Sequence, residues 1–435
     1  MFLLPREVMR KYAIFSLAII LLLFTVVSSE PGERDAESGV KRGDEKQNLV
    51  LTKLIVLNRH GHRAPNAPYW SMCPNDRKNR RKYNVGAEDL TARGMKEEYE
   101  LGEYLRNAYR DFIGPRFNRS RHFLRAVGEP RILQSAQAVA QGLFPDGYGP
   151  GGYLPRQPQF VPVFSDMDTH EYLLDDVPCF RRAERDMRRW LNTSLSDFIA
   201  DPKVSEVLNY MKRMCGVSEK DMPPVYAFLK TVADGMTFNA DFGLSVCHGK
   251  VTPEMLFKIR KVSLRLLMAR LYHTDEQQTY TSVDLPYRIL YMLNRSTSPG
   301  AKGVNDYSDT EQEAILYFMH REALYAVGEF FGFTFNVPGL PHGELPVAST
   351  IVWERLVPEK SVGEEIVPSR TYVRLILWTP KDGTATVAIP HCRTPQLCTL
   401  KELQDIYSAR VKRTGSWLKL CNFTITELDH DTDIR

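Results

Sequence analysis

The sequence predicts an α/β protein: a large domain with a mixed, mainly parallel sheet flanked by helices, plus a smaller α-helical cap inserted in the chain. Three observations support this fold class. Apolar runs of strand length alternate with segments of helical periodicity, as in α/β folds. Residues from about 170 to 275 are instead rich in helical spacing with scattered charges. The chain of 435 residues is long enough for a large domain with an insertion.

The first half of the chain begins its structured part with a strand. Residues 49–57 (LVLTKLIVL) are apolar and β-rich, which predicts a buried strand. A helix is expected from about Thr91, because apolar side chains recur every three or four residues until Gly114-Pro115 ends the pattern. The stretch from Pro130 to Gly142 predicts another helix, since proline suits the first helical turn.

The second half of the chain returns to strands after the helix-rich stretch. Ala314–Met319 is an apolar run that predicts a strand, and Arg321–Phe331 resumes helical spacing. Two further strands are expected near 348–356 and 371–378. We therefore expect the sheet-containing domain at 49–169 and 276–425, with the cap at 170–275.

The N-terminus has the order of a signal peptide. Basic residues at positions 6, 10 and 11 precede an apolar stretch from Tyr12 to Val27, and the small residues Ser28 and Ser29 follow. We expect a signal peptide at 1–29, with an uncleaved signal anchor as the alternative. Residues 30–48 are charged and lack an apolar period, which predicts a disordered segment. An acidic tail is expected at 426–435.

Sequons and cysteines agree with a secretory route. Four Asn-x-Ser/Thr sequons are glycosylation candidates: Asn118, Asn192, Asn294 and Asn422. The seven cysteines suit disulfides in an oxidising compartment. They form no CxxC pair and no zinc-ligand spacing, so we expect no metal and no cofactor. We predict a secreted or lumenal protein, tethered to the membrane by its N-terminus if the signal is not cleaved.

The charge of the chain is mild. A formal net charge of +4 permits attraction to anionic substrates but does not favour nucleic-acid binding. The densest basic run extends from Arg77 to Lys82. It is interpreted as a solvated loop, with an anion- or polysaccharide-binding patch as the alternative.

The loop after the first strand carries the candidate chemistry. Its residues are Asn58-Arg59-His60-Gly61-His62-Arg63-Ala64-Pro65. Ligands of open α/β sheets bind at the carboxyl ends of strands, which is where this loop lies. Two guanidinium groups beside one imidazole suit the holding of phosphate oxygens. A neutral imidazole nitrogen can also attack phosphorus. A basic surface turn is the alternative interpretation.

These residues resemble the signature of the histidine acid phosphatases, the family branch that contains prostatic acid phosphatase and the phytases. The signature is Arg59-His60-Gly61-x-Arg63-x-Pro65 at the end of an apolar strand. Similarity continues through residues 90–94 (LTARG), 100–106 (ELGEYLR), 125–137 (RAVGEPRILQSAQ) and 142–145 (GLFP). It extends from about residue 50 to 425 and is thin across the cap.

The resemblance implies hydrolysis of phosphate monoesters without a metal. His60 would attack phosphorus to give a phosphohistidine, and water would then hydrolyse that intermediate. Arg59, Arg63 and Arg131, together with a second histidine, would hold the phosphoryl oxygens. An acid would protonate the leaving oxygen. Small phosphate monoesters are the expected substrates, and phosphopeptides and polyphosphorylated compounds stay open; a homodimer is also expected from the resemblance.

The second half of the family's site departs from the usual pattern. Members usually carry a His-Asp pair after a late strand, whereas this chain has His320-Arg321-Glu322. In one interpretation His320 binds phosphate and Glu322 is the general acid, similar to the His-Ala-Glu of the multiple inositol polyphosphate phosphatases. In the other, Arg321 replaces the acid and the protein binds phosphorylated ligands or a protein partner with impaired catalysis. The literal pair His430-Asp431 is interpreted as a chance match that does not belong to the site, because no strand precedes it.

The resemblance also implies disulfides. Cys179 is expected to pair with Cys421, and Cys392 with Cys398. The family's third bridge would join Cys247 to a cysteine near Thr350, but this chain has none there. Cys247 is therefore expected to pair with Cys215, which leaves Cys73 unpaired.

Overall fold

The structure is a computed structural model that describes residues 48–165, 173–174, 179–296 and 312–424. The expected signal peptide, all but one residue of the charged segment after it, and the acidic tail lie outside the described residues. None of the helices in the described ranges is long and apolar enough to cross a bilayer.

The strands of the described residues form one sheet. Their bounds are β1 Leu49–Arg59, β2 His122–Ala126, β3 Ala314–Met319, β4 Thr350–Pro358, β5 Tyr372–Thr379, β6 Gly383–Val387 and β7 Cys398–Thr399. The strand order is β2-β3-β1-β4-β5-β6, and β7 pairs with β5.

The α-helices of the described residues fall into three groups along the chain. Those before the helix-rich stretch are α1 Tyr69–Met72, α2 Ala92–Ala108, α3 Arg110–Ile113 and α4 Pro130–Leu143. Those in the middle are α5 Phe180–Thr193, α6 Leu195–Ala200, α7 Pro202–Cys215, α8 Val225–Asp241, α9 Pro253–Leu271, α10 Asp275–Tyr280 and α11 Leu285–Asn294. Those after it are α12 Arg321–Phe331, α13 Leu400–Thr414 and α14 Trp417–Cys421.

The sheet is mixed, as expected, and its parallel part is where the site lies. β1 and β2 each pair parallel with β3, whereas β4 pairs antiparallel with both β1 and β5, and β5 with β6 and β7. Antiparallel pairs therefore outnumber parallel ones. For two of the four antiparallel pairs, β4–β5 and β5–β6, the reason is that consecutive strands joined without a crossover helix pair antiparallel.

The strands and helices predicted from long apolar runs are all present. The sequence reasoning did not predict three strands, β2, β6 and β7, or the helices α1, α10, α11, α13 and α14. β2 and β7 are short, and β6 is exposed along most of its length. Such strands lack the apolar alternation that reveals a half-buried strand, so the pattern could not show them.

The described residues contain two large apolar clusters. The first surrounds β1 and β3, whose residues from Leu54 to Leu57 and from Ala314 to Met319 are buried. The second is built from helices α7, α8 and α9, with Tyr69 and Trp70 of α1 packed against it. Each cluster excludes water from the side chains that it encloses, which stabilises the elements around it. The predicted domain boundaries at 170 and 275 stay a prediction.

Two of the three expected disulfides are present, and the third expectation is wrong. Cys179 is bonded to Cys421 and Cys392 to Cys398. Cys215, however, is bonded to Cys73, with their Cα atoms 4.3 Å apart, and Cys247 is a buried free thiol. The physical reason is that the segment after α1 packs against α7, which brings Cys73 within bonding distance of Cys215.

The four sequon asparagines, Asn118, Asn192, Asn294 and Asn422, are exposed. Exposure is a precondition for glycosylation, which stays a prediction.

Candidate active site

The carboxyl ends of β1 and β3 bring two distant segments together. The strands are parallel neighbours, with Arg59 opposite Met319 in the register. The backbone N–H of His60 donates to the carbonyl of Met319 at 3.1 Å. The segments that follow the two strands, residues 59–63 and 320–322, therefore lie side by side at one edge of the sheet, as expected for ligand sites of α/β proteins.

A cavity of about 290 Å³ lies at this edge. It is lined by all six residues that the sequence predicts for the site: Arg59, His60, Arg63, Arg131, His320 and Glu322. The lining also includes Arg321, which the alternative interpretation placed at the site, and six residues that the prediction left out: Asn66, Glu88, Lys230, Thr231, Asp234 and Phe238. A second cavity of about 220 Å³ shares His320 and Glu322 with the first and is lined by Arg270, Tyr272 and Ser282 among others.

One ring nitrogen of His60 is hydrogen-bonded, and the other has no hydrogen bond to a described residue. Its Nδ1 lies 2.8 Å from the carbonyl oxygen of Gly61, which only accepts, so Nδ1 carries the proton and donates. The other nitrogen, Nε2, is then the one with a lone pair. Burial, and then the charges of His320, Arg59 and Arg63, hold the pKa of His60 well below its ordinary value. The side chain is 4% exposed and neutral, which suits a nucleophile.

Glycines allow the loop to lie directly against the start of α2. A Cβ atom on Gly61 would meet the carbonyl oxygen of Gly94 at 2.5 Å, and one on Gly94 would meet the carbonyl oxygen of His62 at 2.2 Å. Both distances are shorter than any Cβ contact allows, so this packing requires glycine on both sides. The N–H of Gly61 donates to Ser135 Oγ of α4 at 3.2 Å. The loop is thus fixed by α2 and α4 together.

The arginines of the cavity have buried N–H groups that are available to donate to a ligand. Arg59 donates one N–H to the carbonyl of Leu345, and Arg63 donates to the carbonyl of Ala64 at 2.9 Å. The Nε–H groups of Arg59 and Arg131 are buried and make no hydrogen bond within the described residues. Buried donors are nearly always hydrogen-bonded, so two such groups in one cavity indicate a place for an anion.

Arg63 also stacks on an aromatic ring. Its guanidinium carbon lies 4.4 Å from the centre of the Phe238 ring of α8. Burial, which outweighs the favourable charge of Asp234, lowers the pKa of Arg63 to about 10, and burial together with Arg321 lowers that of Arg59 to about 10. Both stay charged at any physiological pH. The cost of holding them so close is what a bound anion would relieve.

Carboxylates face the second segment. His320 Nε2 lies 3.0 Å from Glu129 Oε1, and the same carboxylate forms an ion pair with Arg131. Arg321 donates to Asp234 Oδ1 at 3.3 Å and lies 3.4 Å from Glu322 Oε1. The predicted residues of this segment thus reach the cavity, but each is paired with another charge.

The state of Glu322 bears on its expected role. Burial raises its pKa, but the charges of Arg321, His320 and Arg59 outweigh burial and lower the pKa to about 2. The carboxyl group is therefore ionised when no substrate is bound. If Glu322 is to protonate a leaving group, the proton has to reach its carboxylate together with the substrate.

Sequence reasoning missed the contribution of α8 and of Glu129. Lys230, Asp234 and Phe238 lie four residues apart on α8, so they share one face of that helix, and this face lines the cavity. The spacing is visible in the sequence, but only the fold shows which helix face meets the site. Glu129 is 191 positions from His320, and no local pattern links them.

The other histidine-acid pairs lie elsewhere. His430-Asp431 is outside the described residues. In His273-Thr274-Asp275, Thr274 caps α10 by accepting from the N–H of Gln277, and His273 is exposed. Among the described residues, the only His, Cys, Asp or Glu group close enough to hold a metal ion is Cys73, Cys215 and Cys247, two of which are joined as a disulfide.

Comparison with known proteins finds similarity over part of the chain. The family model of the histidine phosphatase superfamily (branch 2) matches residues 50–226. Human testicular acid phosphatase is 37% identical over 122 residues, which are 27% of this chain and 28% of that protein. The lysosomal acid phosphatase of Bos taurus is 32% identical over 148 residues, 33% of this chain and 34% of that protein. The match thus spans about a third or less of each of these relatives.

Solved structures agree on the fold. The Hafnia alvei phytase in complex with tartrate superposes with a TM-score of 0.65 at 16% identity, covering 85% of this chain and 98% of that one. The phytase from Citrobacter braakii gives 0.63 at 15% identity, covering 83% and 98%. At these identities the comparison shows that the two proteins share the fold of this chain. Residues 50–226 of the chain thus resemble the histidine phosphatase superfamily (branch 2).

Proposed function

We propose that the protein is an acid phosphatase that hydrolyses phosphate monoesters through a phosphohistidine at His60. The observation that carries the proposal is the pair of buried, unbonded Nε–H groups of Arg59 and Arg131 beside a neutral histidine. Oxygens of a phosphoryl group would satisfy both donors. Arg63 and His320 line the same cavity and would complete the phosphate-binding set.

The first step forms the bond between His60 Nε2 and phosphorus while the bond to the ester oxygen breaks. The proton on Nδ1 stays hydrogen-bonded to the Gly61 carbonyl, which leaves the lone pair on Nε2 of a side chain that lines the cavity. Arginine side chains stabilise the charge on the equatorial oxygens, the main contribution that a protein makes to phosphoryl transfer. In the second step water attacks phosphorus, and inorganic phosphate leaves with His60 restored.

The leaving oxygen needs a proton, and Glu322 is the proposed donor. Its pKa of about 2 means that the free carboxylate holds none. A phosphate monoester, however, still carries one proton below its second pKa of about 6. In acid the substrate would bring this proton, and Glu322 would pass it to the leaving oxygen. The proposal therefore includes an acidic pH optimum.

The route to the secretory pathway is part of the proposal. The disulfides of the structure suit an oxidising compartment. A relative named lysosomal acid phosphatase shares about a third of its length with this chain. We propose a lumenal or secreted location, and phosphate monoesters of small molecules as substrates.

The test is hydrolysis of p-nitrophenyl phosphate from pH 3 to 8 by the wild type, His60→Ala and His273→Ala. His273 is an exposed histidine outside the cavity and serves as the matched control. We expect activity in the wild type and in His273→Ala, and phosphate-labelled protein in the same two after an alkaline quench, which preserves the acid-labile phosphohistidine. Loss in His60→Ala alone supports the nucleophile.

A second candidate function is phosphate binding without turnover. The observation that favours it is Arg321, which holds the position where the family's acid stands and pairs with both Asp234 and Glu322. A wild type that binds inorganic phosphate, yet hydrolyses the ester no faster than His60→Ala, would establish this alternative.

A further inference from the structure

Glu129 contacts two members of the phosphate-binding set at once. It is the residue before Pro130 at the start of α4, and its side chain is about a third exposed. One oxygen lies 3.0 Å from His320 Nε2, and the carboxylate also forms an ion pair with the guanidinium of Arg131. The donors that would hold a phosphoryl group are thus bonded to a carboxylate of the protein itself.

We propose that Glu129 is an internal competitor for phosphate: it binds Arg131 and His320 in the free protein, and a phosphoryl group displaces it only with uptake of a proton. The inference rests on the proposed function for the identity of the phosphate site. It goes further by naming the residue that makes phosphate affinity fall as pH rises. Two anions cannot share the same donors at low cost, because like charges at hydrogen-bond distance repel strongly.

The charges around Glu129 fix the sign of this effect. His320 faces it from the segment after β3, Arg131 from α4, and Arg63 from the loop after β1, while Glu88 lies 3.9 Å from Arg131. The hydrogen bond from His320, followed by the charges of His320, Arg131 and Arg63, lowers the pKa of Glu129 although burial opposes this. A bound phosphate dianion cancels those positive charges and raises that pKa. Phosphate binding and proton uptake are therefore linked, and each favours the other.

The experiment measures the dissociation constant of inorganic phosphate by calorimetry from pH 4 to 7.5. The variants are Glu129→Gln, Glu129→Asp and, as a control, Glu103→Gln on the exposed side of α2. One linked proton weakens binding up to about tenfold per pH unit. We expect this dependence in the wild type, in Glu103→Gln and in Glu129→Asp, and a flatter one in Glu129→Gln, with tighter binding near pH 7. Buffers of different ionisation enthalpy would show proton uptake in the wild type and less in Glu129→Gln.

Equal pH dependence in the wild type and Glu129→Gln would overturn the inference. Because binding is measured without turnover, a phosphate-binding protein that does not hydrolyse esters would sink the proposed function and leave this inference standing. Glu129→Asp keeps the charge, so it separates a charge effect from a fold that fails when the side chain changes.

A separate surface carries an independent inference. The basic ridge comprises Arg77, Lys78, Arg80, Arg81 and Lys82, all exposed, on the 3₁₀ helix Pro74–Lys82. None of the five forms an ion pair with a described residue, whereas many exposed arginines elsewhere do. In a helix of three residues per turn, Arg77 and Arg80 form one row and Lys78 and Arg81 a second, about 6 Å apart along each row.

The start of the same helix anchors it. Cys73, which precedes the helix, is bonded to Cys215. Asp76 is buried and accepts from Tyr69 Oη at 2.6 Å and from the backbone N–H of Cys247 at 2.6 Å. The ridge is therefore presented by a fixed backbone, which reduces the entropy lost on binding.

We also propose that the basic ridge binds a sulfated polysaccharide. Residues 74–82 include no aromatic side chain on which bases would stack and no apolar side chain to insert into a bilayer. Only charge and guanidinium geometry remain, which suit sulfate groups along a polyanion.

The experiment is elution from immobilised heparin in a NaCl gradient. The ridge variant replaces Arg77, Lys78, Arg80 and Arg81 by Gln; the control replaces Arg181, Arg185, Arg188 and Arg189 of α5, which are also exposed, and removes the same charge. We expect retention of the wild type and the control at about 0.15 M NaCl, physiological ionic strength, and release of the ridge variant.

Equal loss in both variants would assign retention to net charge alone. Equally tight binding to phosphatidylserine vesicles or single-stranded DNA would overturn the choice of polysaccharide; thermal unfolding confirms that each variant folds.

Discussion

The segments after β1 and β3 lie side by side but handle charge in opposite ways. After β1, the side chains of Arg59, His60 and Arg63 donate to backbone carbonyls, so their contacts carry no compensating negative charge. After β3, His320 and Arg321 each contact a carboxylate. One wall of the cavity is left positive, and the other is neutralised by the protein itself.

The difference explains the electrostatics of the cavity. On the first wall, burial outweighs the charges of nearby carboxylates and lowers the pKa of both arginines to about 10, and burial also holds the pKa of His60 well below its ordinary value. On the second wall, burial works against it but Asp234 and Glu322 together raise the pKa of Arg321. Under the proposed function, a phosphate dianion would supply the negative charge that the first wall lacks, and the carboxylates of the second wall would carry the proton.

The largest expected effect comes from the positive wall. Replacing Arg59 by Ala removes a buried donor from the phosphate oxygens, and we expect kcat/KM to fall about 10³-fold, as when one preorganised donor is lost. The fall should be the same for aryl and alkyl phosphates, because the phosphoryl group is common to both. Steady-state kinetics with p-nitrophenyl phosphate and β-glycerophosphate would show it. A loss confined to one substrate would contradict the assignment of Arg59 to phosphate.

The second wall predicts a loss that depends on the leaving group. Glu322→Gln should slow β-glycerophosphate hydrolysis about 10²-fold, the lower end for a lost general acid, since Asp234 is a second carboxylate in the cavity. p-Nitrophenolate leaves readily without a proton, so its release should change little. Asp234→Asn is the matched variant. If that variant, and not Glu322→Gln, shows the leaving-group dependence, the acid is on α8.

Arg321 predicts a shift of the pH profile rather than a loss. Its charge is the largest of those that hold the pKa of Glu322 at about 2 against the effect of burial. In Arg321→Ala that pKa rises, so Glu322 keeps its proton to higher pH. Hydrolysis of β-glycerophosphate should then extend towards neutral pH relative to the wild type. Arg321→Lys keeps the charge and should retain the wild-type profile; an unchanged profile in Arg321→Ala would separate Arg321 from the acid.

The same contrast shows how much of the molecule can be predicted from sequence. The first wall is one continuous run after an apolar strand, so its residues and their place at the sheet edge follow from local pattern. Arg131, by contrast, came from resemblance alone. Glu129 and Asp234 were missed, because their partners His320 and Arg321 lie 191 and 87 positions away. The Cys73–Cys215 bond was missed for the same reason, since only the packing of α7 brings these cysteines together.

The smallest expected effect concerns the helix face that supports the positive wall. Phe238→Leu keeps an apolar side chain on α8 but removes the ring that Arg63 stacks on at 4.4 Å. A cation–π contact of this kind contributes about 1 kcal/mol, which corresponds to about fivefold in binding. We expect KM to rise by about that factor, with kcat little changed. The reason is that the guanidinium of Arg63 keeps its charge and loses only the ring that helps to orient it. A fall in kcat with constant KM would instead mean that Phe238 positions Arg63 for the transition state and contributes little to ground-state binding.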